Sequence, residues 1–144
     1  MLPTPVKMHY SYNLRDVGKV FQGIAQGDPL SVKDDFGFIK LWAHECQRVF
    51  KDRMISLEDG ERFDKLLKDT MQANFNREWS KVVQVEPLLY SSFVPMISPG
   101  EGKPKINDLY CELTDRDLLK ETILEQLDFH NKTRPDKMFL VMFM

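Results

Sequence analysis

Apolar residues along this chain recur mostly three and four positions apart, the period of a helix that buries one face. Leu14, Val17, Val20, Phe21 and Ile24 make one such face, and the pattern predicts a helix over residues 14–26. Asn13 stands before it as a good N-cap, with Asp16 three residues on, a variant of the capping box. Gly27 and Pro29 follow and end it. A second helix is predicted from about residue 32 or 34 to 54, with Phe38, Leu41, Trp42, Cys46, Val49 and Phe50 as its stripe. A third covers residues 58–75 through Phe63, Leu66, Leu67, Met71 and Phe75, with Ser56 as cap and Asp59 in the capping-box position. A fourth starts at Thr114, with Asp117 three residues later, and runs to about residue 130 or 131 through Leu118, Leu119, Ile123, Leu124 and Leu127. From these stripes, Trp42, Phe50, Phe63, Leu67, Leu119 and Ile123 are expected to share one core.

Residues 77–112 keep no single period. They hold Trp79, the apolar "VVQV", Pro87 and the turn-rich "SPGEGKPK", with room for a short strand or helix near residues 79–85. Pro135 opens a last segment that ends in "MFLVMFM", residues 138–144, too short to span a bilayer. So apolar a tail is expected either to fold back on the bundle or to drive self-association. There is no internal repeat, heptad or low-complexity tract. The expectation is an all-α fold, a compact helical bundle with one long irregular connection.

Composition narrows the function more than the fold. The chain has 144 residues, enough for a core, and a net charge of −2 from 20 basic and 22 acidic residues. No broad basic field for nucleic acid follows, and neither a nucleic-acid nor a membrane partner is expected. Pro3 and Pro5 interrupt any signal-peptide core. Cys46 and Cys111 follow no metal spacing, and Cys46 falls within a helical stripe, so a small core residue in a reduced setting is expected.

Candidate chemistry is sparse. "GEGKPK", residues 100–105, lacks the spacer, the hydroxyl residue after lysine and the strand-to-helix setting of a phosphate loop, and reads as a surface turn. Gly23-x-x-x-Gly27 lacks the lysine as well. The histidines are His9, His44 and His130. His44 and Cys46, two apart on a helix, point to different faces, so neither a metal site nor a catalytic cysteine is expected. In "LWAHECQRVFKDR", Glu45 with Arg48 and Arg48 with Asp52 are spaced to pair, on either a solvated or an inter-domain face. Arg15 is the unusual residue, because a cation in the first turn of a helix faces the positive end of the dipole. Either it is a solvated side chain beside Asp16, or it points at an anion held by another domain.

Four blocks carry a family resemblance. "TPVKMHYSYNLRDVGKVFQGI" (residues 4–24) resembles the start of the lid subdomain of the third AAA+ module in axonemal dynein heavy chains. Those chains show Pro-x-Lys-x-His-Tyr-x-Phe-Asn-Leu-Arg-Asp there, and Tyr12 stands here for the commoner Phe. "LWAHECQRVFKDRM" (41–54) resembles their next block, and "YCELTD" (110–115) their Tyr-x-x-Leu-x-Asp segment. "FHNKTRPDKMFLVMF" (129–143) resembles the passage into the fourth module, with Phe129-His130 in place of the usual Tyr-Asn.

The resemblance implies an AAA+ lid: a lead-in from a preceding large ATPase subdomain over residues 1–13, the helical lid over 14–132, and the start of the connection to the next module over 133–144. It implies that Arg15 matches the sensor II position, reaching nucleotide phosphates from the lid side. It further implies no catalysis and no bound cofactor in the isolated chain, with ATP or ADP held by the intact module. The implied partners are the preceding large subdomain and the following module, and through the full motor the dynein complex and microtubules. The implied location is cytoplasm, cytoskeleton and ciliary axoneme. The rival expectation is a free-standing helical module that binds a protein partner.

Overall fold

The computed structural model describes residues 3–27, 29, 32–92, 95–96, 105–106 and 110–141. In chain order these form helices α1 (Leu14–Gln26), α2 (Asp35–Phe50), α3 (Leu57–Phe75) and the single turn α4 (Trp79–Val82). Four two-residue strands follow, β1 (Tyr90–Ser91), β2 (Pro95–Met96), β3 (Lys105–Ile106) and β4 (Cys111–Glu112), and then helix α5 (Arg116–Thr133). β1 pairs antiparallel with β4, and β2 with β3. Helices dominate, as the periodicity predicts, and the irregular connection supplies α4 and the two small pairings. The chain divides into two compact units, Met1–Leu88 and Leu89–Met144.

Local chemistry explains the ends. Both arms of the Asn13–Asp16 capping box are formed, so α1 begins where its cap dictates. The Asp34 carboxylate caps α2 by accepting from the Gly37 N–H at 2.7 Å. After Phe50 the winding tightens into a 3₁₀ turn over Lys51–Arg53, so α2 stops short of the expected residue 54. α3 closes on Asn76, whose φ of 51° is left-handed and whose N–H bonds to the Gln72 carbonyl. α5 starts two residues later than expected, at Arg116. Its cap is Asp115, which accepts from the N–H groups of Asp117 and Leu118, both at 3.0 Å, because a carboxylate satisfies the positive helix end better than the Thr114 hydroxyl.

The core of the first unit gathers Val20 from α1, Ile39, Ala43 and Cys46 from α2, Leu67 and Met71 from α3, and Val82, Val83 and Leu88. Trp42, Phe50 and Phe63 pack against it half-buried, and the Trp42 ring meets Phe75 edge-on at 5.3 Å. The expectation of one shared core divides here, since Leu119, which is buried, and Ile123, half-buried, belong to the second unit. α1 also departs from its expected face. Val20 is buried and Ile24 half-buried, but Leu14, Val17 and Phe21 are exposed. The helix instead turns Asp16, Val20 and Gly23 inward. At Gly23 the α2 side chain of Glu45 fills the space of the missing side chain, since a Cβ there would sit 1.9 Å from Glu45 Oε2.

α2 buries two ionisable groups, His44 and Glu45, within its apolar stripe. His44 donates from Nδ1 to the Leu88 carbonyl at 3.0 Å, which fixes the neutral tautomer with Nε2 as acceptor. Burial pulls its pKa down from 6.5 to about 4, with Arg48 adding in the same direction. Cys46 and Cys111 are free, buried thiols, and burial, helped by Glu45, pushes Cys46 up to about 11, the state of a packing residue. The expected Arg48–Asp52 pair is present at 2.8 Å, whereas Glu45 turns inward toward α1.

In the second unit, α5 ends at Thr133, where the Thr133 hydroxyl donates back toward Phe129 O at 3.0 Å. The Asn131 side chain then brackets Met138, accepting from its N–H at 2.8 Å and donating to its carbonyl at 3.0 Å. The tail backbone therefore returns to α5, but its side chains do not pack, with Phe139 92% exposed. Residues 142–144 lie outside the described residues, as does the "SPGEGKPK" turn except for Lys105 in β3.

Two predictions follow from these contacts. His44 binds a proton more weakly folded than unfolded, so the unfolded state takes up the proton first as pH falls. The chain should lose stability progressively between pH 6.5 and about 4, by roughly 3 kcal/mol in all. Urea titrations across that range should show it, and His44→Gln should flatten it. The two glycines of α1 should respond oppositely to alanine. Gly18 has open space around it, so Gly18→Ala should stabilise the helix by about 1 kcal/mol. Gly23→Ala must displace buried Glu45, at a cost of about 1–3 kcal/mol that cancels or exceeds the same gain. Equal melting temperatures for the two variants would contradict the close α1–α2 approach.

Candidate functional site

The residues before α1 are rich in aromatic and basic side chains, and the structure shows what they hold. A turn closes between Thr4 and Lys7, with the Lys7 N–H bonded to the Thr4 carbonyl at 2.9 Å. Tyr10 then enters the interior and is 2% exposed. Its hydroxyl accepts from the Ile55 N–H at 3.0 Å and donates to Asp59 Oδ2 at 3.1 Å. The Lys7 ammonium pairs with the same Asp59 oxygen. Lys7 first, then the Tyr10 hydroxyl, hold the Asp59 carboxyl below its usual range. Ser56 occupies the N-cap of α3 but makes no side-chain capping bond. The expected capping-box partner, Asp59, is engaged by the segment that precedes α1.

Arg53 makes the second fastening. Its Nη2 donates to the carbonyls of His9 at 2.7 Å and Ser11 at 3.3 Å, and its Nη1 lies 3.3 Å from Asp16 Oδ1. The guanidinium sits over the Tyr12 ring, 5.0 Å from its centre. In return, His9 donates from Nε2 to the Arg53 carbonyl at 2.9 Å. Tyr12 packs on Phe50 with ring centres 5.6 Å apart, and its hydroxyl reaches the Phe50 carbonyl at 3.4 Å. Buried Asp16 accepts from the Asn13 N–H at 3.1 Å and from Lys19 at 3.2 Å, and these bonds depress its pKa, the Asn13 bond foremost.

Arg15 stands on this fastened first turn. Its backbone N–H bonds to Asn13 Oδ1 at 2.8 Å, while its side chain is exposed. Among the described residues the guanidinium has neither ion pair nor hydrogen bond, and in particular none to Asp16, whose carboxylate is taken by Asn13, Lys19 and Arg53. The side chain is thus free to bind an outside anion, with the helix N-terminus behind it. On a different face of α1 lies an exposed apolar group: Leu14 (87% exposed), Val17 (42%) and Phe21 (66%).

Sequence reasoning found Arg15, Asn13 and Asp16, which are local. It missed Lys7, Tyr10, Arg53 and Asp59 as one network, because their partners lie some forty to fifty positions away along the chain. The density of polar aromatic residues in "HYSY", ahead of a good cap, was the available signal. No His, Cys, Asp or Glu cluster among the described residues fits a metal ion. No helix among them is long and apolar enough to cross a membrane.

Comparison with known proteins adds the family. The AAA+ lid domain matches residues 1–85, nearly coincident with the first compact unit. The human dynein axonemal heavy chain 1 is 39% identical over 144 residues, covering 100% of this chain and 3% of that protein. The human dynein axonemal heavy chain 6 is 33% identical over 148 residues, covering 99% of this chain and 3% of its own length. The flagellar outer-arm dynein beta chain of Chlamydomonas reinhardtii is 33% identical over 144 residues, again 99% of this chain and 3% of that one. With its first unit matched by the lid domain and its full length paralleled in heavy chains of ciliary and flagellar motors, this chain belongs to the AAA+ lid family as it occurs in axonemal dynein heavy chains.

Proposed function

We propose that this chain is the lid of a nucleotide-binding module in an axonemal dynein heavy chain. It closes over ATP or ADP held by the preceding large ATPase subdomain and passes that state to the next module, in microtubule-based ciliary movement. Residues 1–13 lead in from the large subdomain, 14–132 form the lid and 133–144 begin the connection onward. The isolated chain is not catalytic in this reading; it is the moving cover of a site whose phosphate loop lies in the large subdomain.

The observation that carries the proposal is Arg15: an exposed guanidinium without an internal partner among the described residues, on a helix start fastened by a full capping box. A guanidinium stays charged and offers a planar fork of donors suited to phosphate oxygens. The positive end of α1 adds to the attraction instead of opposing a solvated cation. The exposed Leu14, Val17 and Phe21 give the same helix an apolar face to lay against the large subdomain as the lid closes. Rotation of the lid as a body then converts phosphate contact into movement of its neighbour. The same apolar face also suits a second reading, a helical module that docks on a separate protein partner without nucleotide.

Arg15 separates these readings. In the isolated chain, Arg15→Ala should leave stability nearly unchanged, or raise it by a few tenths of a kcal/mol, since a first-turn cation is unfavourable. In the intact motor, loss of a charge-assisted bond worth about 1.5–3 kcal/mol should weaken nucleotide binding or lid closure about tenfold to hundredfold. Arg15→Lys should recover only part, because it keeps the charge and loses the fork. Fluorescent-nucleotide titration of the motor with each variant measures this, and unchanged affinity together with unchanged closure would remove Arg15 from the mechanism. The isolated chain should bind ATP and ADP no more tightly than roughly millimolar, since one exposed arginine yields little net affinity in water. Micromolar binding by calorimetry would overturn the reading of this chain as a lid without its own nucleotide site.

A further inference from the structure

We propose that Arg53 is the positioning residue that aims the first turn of α1, and with it Arg15, by clamping the segment before α1 to the corner between α2 and α3. This rests on the reading of Arg15 as a phosphate sensor and deepens it. Arg53 does not face the solvent-exposed side chain of Arg15; it acts through the backbone that carries it.

The geometry is specific. One guanidinium nitrogen is shared by the carbonyls of His9 and Ser11, at 2.7 Å and 3.3 Å, and the other meets Asp16 Oδ1 at 3.3 Å. Residues 9 and 11 lie before the N-cap Asn13 and residue 16 lies after it, so one rigid, planar group spans the start of the helix from both sides. The Tyr12 ring beneath the guanidinium, 5.0 Å away, limits its tilt. The His9 ring returns a bond from Nε2 to the Arg53 carbonyl at 2.9 Å, so side chain and backbone of Arg53 are both engaged by the same segment. Arg53 itself sits in the 3₁₀ turn that ends α2, whose next residues lead into α3. Nearby, Tyr10 and Lys7 meet at Asp59 of α3 and secure the same segment to the other side of the corner.

A capping box alone holds a helix start to its own chain; it does not aim that start relative to the rest of the lid. The Arg53 clamp supplies that direction. A sensor arginine must meet phosphate within a few tenths of an ångström to keep its forked bonds, so the stiffness of its platform is part of its affinity. Arg53→Lys should be a poor substitute: a single ammonium nitrogen can take the place of Nη2 or of Nη1, not of both, so it cannot serve the two carbonyls and Asp16 together.

The test has two arms. In the chain itself, amide hydrogen exchange is compared for wild type, Arg53→Met and Arg53→Lys. Exchange at residues 15–17, whose N–H groups bond to Asn13, should rise about tenfold to hundredfold in Arg53→Met and less in Arg53→Lys, with the α3 amides of residues 66–75 unchanged as the internal reference. Unchanged exchange at residues 15–17 would overturn the clamp. If Arg53→Met unfolds the whole chain, Arg53→Lys carries the same comparison. In the intact motor, binding of a fluorescent ADP analogue is measured for Arg53→Lys, Arg15→Ala and the double variant. Arg53→Lys should weaken binding by a substantial part of the Arg15→Ala loss, and the double variant should be no weaker than Arg15→Ala alone. Additive losses would overturn the assignment of Arg53 to Arg15. Unchanged affinity in Arg15→Ala would instead remove the sensor reading, and the exchange arm would then decide the clamp by itself.

Discussion

The buried carboxylate of Asp16 is the constraint on which the start of this domain depends. A carboxylate 4% exposed must be surrounded by donors, because an ionised group left without them in the interior is strongly unfavourable. Here the donors come from three directions: the Asn13 N–H, the Lys19 ammonium one turn on and the Arg53 guanidinium from the end of α2. Satisfying Asp16 therefore caps α1 and, in the same step, ties α1 to a distant corner of the chain. Adjacent residues of a helix point about 100° apart, so Arg15 does not share in this cluster.

A second pair of polar residues plays a comparable part deeper in the first unit. α1 approaches α2 closely at Gly23 because Glu45 takes the space that a side chain would have used. Next to Glu45, His44 reaches across to the Leu88 carbonyl and holds the end of the unit against α2. Burial in the neutral state, with its one proton on Nδ1, makes this histidine a structural hydrogen-bond donor at neutral pH and a point of weakness in acid. The apolar cluster around Val20, Ala43, Leu67 and Met71 supplies the bulk of the packing, while these polar contacts set which helix faces meet.

The functional reading follows from what the packing leaves outside. A helix of this amphipathic pattern would ordinarily bury Leu14, Val17 and Phe21, yet they are exposed, on the same helix as a cation with no internal partner among the described residues. An apolar face and a forked cation at one helix start make a surface suited to an apolar neighbour that carries phosphate at its edge. In the function proposed above, the large ATPase subdomain is that neighbour.

Much of this was legible in the chain itself, because the signals are local. The period of Leu41, Cys46, Leu67 and Met71 marks two helices, and Asn13 with Asp16 sets the first residue of α1, since capping involves groups within one turn. The blocks around "NLRD" and "LWAHEC" carry the family, and Arg15 stands out by charge and position alone. Tertiary structure decided the rest. The five apolar residues of α1 form one ordinary stripe, but the helix turns the neighbouring face of Asp16, Val20 and Gly23 inward, with Gly23 against Glu45, which leaves Leu14, Val17 and Phe21 out. Asp59 sits where a capping box would use it, but Lys7 and Tyr10, 52 and 49 positions away, reach it first. Arg53 reads in sequence as one more surface cation and becomes a clamp only when folding sets it beside residues 9, 11 and 16, because a hydrogen bond needs proximity within about 3 Å and sequence spacing fixes such proximity only within a helical turn or a strand pair.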